Sequence, residues 1–102
     1  MYGMIAKITT VTGKREEFIE VLTKRTYKMP GCLSYVVAKD AFDANILWVT
    51  EAWDSAASHE ASLSLPEVKT AMTRARELVA AFERIAVTSP VHDMGAGFPN
   101  QS

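Results

Sequence analysis

Few side chains in this chain could carry chemistry, and His59 is the best general base among them. The chain has two histidines, and an unperturbed imidazole titrates near neutral pH. His59 stands in the polar run Ser58-His59-Glu60, which would equally suit a surface histidine on a short helix. His92 is next to Asp93, but neighbours in sequence need not form a pair in space. We therefore take His59 as the candidate catalytic base.

Aromatic side chains and one arginine could wall and orient a pocket for a small molecule. Trp48 and Trp53 are an odd number of positions apart, so a regular strand would place them on opposite faces. One could wall a pocket and the other could serve a dimer, while core packing would explain either. Tyr35 could place its hydroxyl at a pocket mouth. Arg76 could face a bound anion, or cover the apolar stripe of its helix with its alkyl stem.

The remaining candidates concern charge and metals. Glu51 would be costly to bury unpaired, so we expect it to meet Arg74, Arg76 or Arg84, or to point to solvent. Two histidines and one cysteine provide no metal-ligand spacing, and no glycine-rich phosphate loop precedes a helix. The sequence therefore predicts no metal site and no phosphate-binding loop.

Composition indicates one small domain. The chain has 102 residues, of which 48% are hydrophobic and 23% charged, enough to form a core. The net charge is −1 and the basic residues are scattered, which argues against nucleic-acid binding. No segment approaches a membrane span, and a single cysteine, Cys32, favours a reducing compartment. We expect a cytoplasmic domain over residues 1–94 and a flexible tail over 95–102.

The elements that must position these residues follow from periodicity and turn signals. Ser55 or Asp54 should cap a short helix, and Ser64 to Glu67 has the form of a capping box with Pro66 in the first turn. The predicted elements are a strand Tyr2–Val11, a helix Lys14–Met29, strands Cys32–Lys39 and Ile46–Trp53, a short helix through about Leu63, an amphipathic helix through Phe82, and a strand Arg84–His92. This order predicts an α+β, ferredoxin-like βαββαβ fold with a four-stranded antiparallel sheet.

Both faces of the third strand are apolar. Ile46 and Trp48 alternate with Leu47, Val49 and Trp53, whereas a sheet with one wet face should alternate apolar and polar residues. Helices can cover one face and leave room for a pocket. Because no third layer remains in the sequence, we expect a second copy of the chain to cover the other face.

Two short motifs stand on this frame, Pro30-Gly31-Cys32-Leu33-Ser34-Tyr35 at the start of the second strand and Glu51-Ala52-Trp53-Asp54-Ser55 at the end of the third. In this order and spacing the chain resembles the antibiotic biosynthesis monooxygenase superfamily, especially its quinol-monooxygenase-like branch, over about residues 2–92. The resemblance implies a dimeric α+β barrel that oxidises a small quinol or polyketide-like aromatic with O₂, without metal or flavin. The protein would supply an apolar pocket, a proton acceptor and orienting hydrogen bonds.

One position departs from the resemblance. Many relatives carry a histidine nine residues after the motif tryptophan, where this chain has Ser62. His59 lies one helical turn away on the same face and could take over the role. The implied site is therefore His59 as catalytic base, with a substrate pocket formed by Tyr35, Trp48, Trp53, Ser62 and Arg76.

Ser62 leaves two alternatives. A dimer of the same fold that binds a small molecule without turnover is the first. Haem degradation, known from another branch of the superfamily, is less favoured, because Lys7 and about Met72 occupy the positions where those relatives carry an asparagine and a histidine.

Overall fold

The computed structural model describes residues 1–24 and 29–92, and within these it contains four strands and three helices. In chain order they are β1 Tyr2–Thr10, α1 Arg15–Thr23, β2 Cys32–Lys39, β3 Ile46–Trp53, α2 Ala56–Ser62, α3 Pro66–Leu78 and β4 Val79–Thr88. The predicted ferredoxin-like βαββαβ order is confirmed, and the predicted short helix is present as α2 before α3.

The four strands form one antiparallel sheet in the order β2-β3-β1-β4. The register pairs Tyr2 of β1 with Trp53 of β3, and Gly3 of β1 with Thr88 of β4. The first and third strands are therefore central, and the strand after α3 lies at one edge.

The core lies between the sheet and the helices. Its buried cluster contains Ile8 of β1, Leu47 and Val49 of β3, Phe18 of α1 and Leu78 of α3. Leu47 is fully buried, and burial of one such side chain contributes about 1.5–3 kcal/mol. Alternate residues of the central strands thus face the helices, as period-two patterning requires.

The sheet face without helices also carries apolar side chains. By strand alternation, Ile5, Val36, Ile46 and Trp48 lie on this face, which we call the open face. Val36 is 47% exposed there, while Ile5, Ile46 and Trp48 are partly buried. The two-sided apolar pattern of β3 is therefore present in the fold.

Two predicted helix ends are wrong. α1 ends at Thr23 instead of Met29, since Lys24 has φ −82° and ψ 69° and Met29 is not helical; residues 25–28 lie outside the described residues. α3 ends at Leu78, and Val79 is already extended. Val79 and Phe82 continue the apolar helical spacing, but pairing with β1 places them in β4.

The predicted helix starts had mixed outcomes. Ser55 caps α2, because its side chain accepts a hydrogen bond from the backbone N–H of Ser58. The capping box at Ser64 is wrong: α3 is preceded by Leu65 with no side-chain cap, although Pro66 opens the helix as expected.

Along the described residues, no helix is both long and apolar enough to cross a membrane. The predicted tail, residues 95–102, lies outside the described residues, so the boundary at residue 94 stays a prediction.

Candidate functional site

A cavity of about 660 Å³ lies between the helix-covered face of the sheet and the three helices. Met4, Ala6 and Ile8 of β1 form its floor, and most of its other lining side chains are apolar. This volume is within the usual range for a small-molecule site, and such sites combine an apolar lining with a few placed polar groups.

The polar groups at one end of the cavity are Glu51 and His59. The indole N–H of Trp53 donates to Glu51 Oε1 at 2.9 Å, and His59 Nε2 lies 3.9 Å from the same oxygen. Both side chains are largely shielded from solvent, with 11% of Glu51 and 14% of His59 exposed. The Nε2–Oε1 separation is too long for a direct hydrogen bond, but it allows an ion pair when the imidazole is protonated.

Three neighbours hold His59 in this position. Tyr2 stacks on the imidazole with ring centroids 5.2 Å apart, and Trp53 meets it edge-on at 5.4 Å. The hydroxyl of Ser62, which is buried, donates to the backbone carbonyl of His59 at 2.6 Å. The imidazole is therefore fixed between two aromatic rings on a short helix.

Contact between the two sequence motifs explains why α2 begins where it does. Gly31 has φ 87°, a conformation that favours glycine. A Cβ on Gly31 would lie 2.5 Å from Ser58 Oγ and 2.7 Å from Asp54 Oδ1. The Asp54 N–H donates to the Gly31 carbonyl at 2.9 Å. Together with the Ser55 cap, this close approach sets the position of α2 and hence of His59.

Most of the predicted site residues line one cavity. These are Tyr35, Trp53, His59, Ser62 and Arg76. Trp48 is the exception, because residues 48 and 53 alternate to opposite faces of β3. Its indole N–H donates to Asp40 Oδ1 at 2.8 Å, and Lys7 Nζ lies 6.0 Å from its ring centroid. The prediction that Trp48 lines the pocket is therefore corrected.

Asp40, the partner of Trp48, stands at the start of the β2–β3 turn. It accepts hydrogen bonds from the indole of Trp48 and from the backbone N–H groups of Asp43 and Phe42. These donors lower the pKa of Asp40 below its ordinary value of 3.8, with the Trp48 bond as the largest cause. The carboxylate thus closes the turn.

Within the described residues, Glu51 pairs with none of the three arginines that the sequence offered, and it does not point to solvent, since only 11% of its side chain is exposed. Arg74 instead pairs with Glu17 of α1 and with Glu77 of its own helix. Glu51 accepts a hydrogen bond from Trp53, two residues along on the same strand face. Sequence reasoning had singled out Glu51 for its cost of burial, but periodicity alone could not indicate an indole as its partner.

Two further residues near the acid–base pair or the cavity were not among the sequence candidates for the pocket. Tyr2 reaches His59 because the register pairs it with Trp53, and Arg84 lines the cavity from β4. Their strand positions were readable from the sequence, but the register that brings them to the site was not.

The position proposed for a haem-degrading residue in β1 faces away from this cavity. Lys7 lies on the open face, where its Nζ is 3.9 Å from Glu83 Oε1. Among the described residues, no group of three or more His, Cys, Asp or Glu side chains could hold a metal ion.

The fold and the site define a class: a ferredoxin-like α+β domain with an apolar pocket between sheet and helices and an acid–base pair at one end. The sequence model for antibiotic biosynthesis monooxygenases matches residues 1–74. The chain therefore belongs to the antibiotic biosynthesis monooxygenase family.

Solved structures agree with this assignment. A protein from Chloroflexus aurantiacus J-10-fl that bears the family name is 47% identical, with a TM-score of 0.88 over 94% of this chain and 98% of that one. Another bearing the family name, from Nitrosomonas europaea, is 18% identical, with a TM-score of 0.79 over 90% and 100%. PA3566 from Pseudomonas aeruginosa is 19% identical, with a TM-score of 0.77 over 89% and 94%. The latter two show the fold alone. No curated protein matches the chain.

Proposed function

We propose that this protein is a cofactor-independent monooxygenase that oxidises a small quinol or polyketide-like aromatic with O₂. The observation that carries the proposal is the pair Glu51 and His59, placed together at one end of an otherwise apolar cavity. A base in such a setting can deprotonate a bound phenol, and exclusion of water strengthens electrostatic interactions at the reacting atoms.

In this mechanism His59 Nε2 accepts the proton of the substrate hydroxyl. The Glu51 carboxylate, 3.9 Å away, then attracts the resulting imidazolium. The electron-rich substrate anion reduces O₂ itself. For a quinol, one oxygen atom enters the ring to form a hydroxyquinone and the other leaves as water, so the four electrons come from the substrate.

Oxygen uptake after addition of an anaerobically reduced quinol tests the proposal, with ¹⁸O₂ to label the product and an enzyme-free control for autoxidation. We expect His59→Gln to lower kcat by about 10²–10⁴-fold, the usual contribution of a general base. His92→Gln is the matched control, because His92 is exposed and does not line the cavity. Unchanged turnover in His59→Gln, or no label in the product across a quinol panel, would refute the proposal.

Ser62 favours a second candidate, a dimer that binds an aromatic ligand without turnover. In this alternative the buried Ser62 only stabilises α2 through its bond to the His59 carbonyl. A ligand that binds only the folded state raises the melting temperature. Thermal stabilisation by quinols with no oxygen consumption would therefore favour binding alone.

We also propose that the protein is a homodimer joined through the open face. The support is the exposed Val36 and the partly buried Ile46 and Trp48 on that face, where an apolar surface gains from a partner. Sedimentation equilibrium should give twice the mass of 11.2 kDa, and Val36→Glu should shift the protein toward the monomer. A wild-type monomer at micromolar concentration would contradict this. A cytoplasmic location, motivated by the single Cys32, remains part of the proposal.

A further inference from the structure

Two arginines, Arg76 of α3 and Arg84 of β4, line the cavity. Neither has a hydrogen bond or ion pair with any other residue in the parts of the chain that the structure describes. Both arginines are exposed, and they line an apolar pocket with guanidinium donors that no described protein group accepts from.

The other two described arginines are both engaged by protein groups. Arg15 donates to the backbone carbonyl of Asp43 at 2.9 Å, and Arg74 donates to Glu77 at 2.7 Å and also pairs with Glu17. Among the described arginines, the two outside the cavity therefore have protein partners, and the two that line it have none in the described parts of the chain.

The acidic neighbours of the cavity arginines are committed elsewhere. Glu77 follows Arg76 in sequence but binds Arg74. Glu83 precedes Arg84 but points to the open face, where it pairs with Lys7. The Glu51 carboxylate already accepts from Trp53. The positive charge on this side of the cavity is thus uncompensated by the described residues.

Arg84 and the acid–base pair lie on different sides of the cavity. Ala6 of β1 pairs with Val49 of β3 on one side and with Arg84 of β4 on the other. The β3 backbone that carries Glu51 is therefore two strand spacings, about 10 Å, from the β4 backbone that carries Arg84. Apolar side chains of β1, including Met4 and Ala6, cover the floor between them.

From this arrangement we propose that the pocket takes an aromatic acid. The ring lies on the β1 floor, a hydroxyl faces Glu51 and His59, and a carboxylate binds Arg76 and Arg84. Guanidinium groups bind carboxylates through paired, charge-assisted hydrogen bonds, and the apolar floor suits the ring. This inference deepens the proposed function, because it names the substrate class of the same site.

A matched ligand pair tests the inference: 1,4-dihydroxy-2-naphthoate, which carries the carboxylate, and naphthalene-1,4-diol, which lacks it. Both are titrated anaerobically into the full chain by calorimetry. We expect the acid to bind at least about tenfold more tightly, and the preference to weaken with added salt. Arg76→Gln and Arg84→Gln should each reduce the preference several-fold. Lys69→Gln, an exposed site on α3 outside the cavity, should leave it unchanged.

Failure of this inference differs from failure of the proposed function. Equal affinity for the two ligands, binding of neither, or a preference that survives both arginine substitutions would overturn the aromatic-acid assignment. Oxygen uptake with the neutral diol tests turnover separately. Oxygen uptake with the diol, together with equal affinity for the acid and the diol, would support the monooxygenase proposal and refute only the carboxylate-binding site.

Discussion

The two faces of the sheet each hold a tryptophan whose indole donates to a carboxylate, yet the two pairs differ in what the carboxylate has left to bind. On the open face, Asp40 accepts from Trp48 and from two backbone N–H groups. On the helix-covered face, the donor that reaches Glu51 among the described residues is Trp53, itself 1% exposed. A carboxylate offers about four acceptor positions.

The difference separates a structural carboxylate from a reactive one. Most acceptor positions of the Asp40 carboxylate are occupied, and it closes a turn at the protein surface. Glu51 keeps unused acceptor capacity inside an apolar cavity, with an imidazole 3.9 Å away. The chemistry follows from the environment of the carboxylate, since the indole partner is common to both.

Replacing each carboxylate by its amide should show the difference between Glu51 and Asp40 most strongly. We expect Glu51→Gln to lower kcat for quinol oxidation by about 10²-fold, because the amide carries no charge to attract the protonated His59. Asp40→Asn should leave kcat unchanged and lower only stability. Steady-state oxygen uptake measures the first effect and thermal melting the second. Wild-type kcat in Glu51→Gln would show that Glu51, like Asp40, has no role in turnover.

The position of α2 over Glu51 can be tested at Gly31. Gly31→Ala should lower the free energy of unfolding by about 2 kcal/mol, since a positive φ is strained for alanine and the new methyl would meet Ser58. Gly13→Ala is the matched control: Gly13 has φ 79° but no atom near its Cβ position, so about 1 kcal/mol is expected. Urea unfolding gives both values, and equal losses would show that the contact with α2 is unimportant.

The smallest expected effect is on how much folding stability is lost at acid pH when Asp40 is protonated. The pKa of Asp40 is lowered in the folded state, so its contribution is present above the unfolded value and is lost as pH falls through the folded one. Trp48→Phe removes the largest cause of the shift. The variant should therefore lose less stability than wild type between about pH 5 and pH 3, measured as urea midpoints. An equally steep loss would assign the acid sensitivity to other groups.

Local signals in the sequence were sufficient to predict most of the secondary-structure elements. The hairpin between β2 and β3 and the Ser55 cap depend on residues close together in the chain, and both formed as predicted. The end of α3 could not be predicted in this way, because Val79 and Phe82 fit a helical stripe as well as a strand. Pairing with β1, a long-range contact, decides between the two.

The site was predictable in part for the same reason. His59, Trp53 and Ser62 are close in sequence, and their common location follows from one strand end and one helix. Tyr2 and Arg84 come from distant strands, and only the register of the sheet brings Tyr2 to His59 and Arg84 to the cavity. Trp48 was misplaced because strand alternation allowed either tryptophan to face the pocket.

The hydrogen bond from Ser62 to the His59 carbonyl has a consequence for inhibitor selectivity. Three residues of helix rise by about 4.5 Å, so a base at position 59 sits that much nearer the start of α2 than one at position 62. A compound shaped for relatives with the later histidine would present its acidic hydroxyl to a serine that already donates to a carbonyl. We therefore expect such compounds to discriminate between the two kinds of pocket.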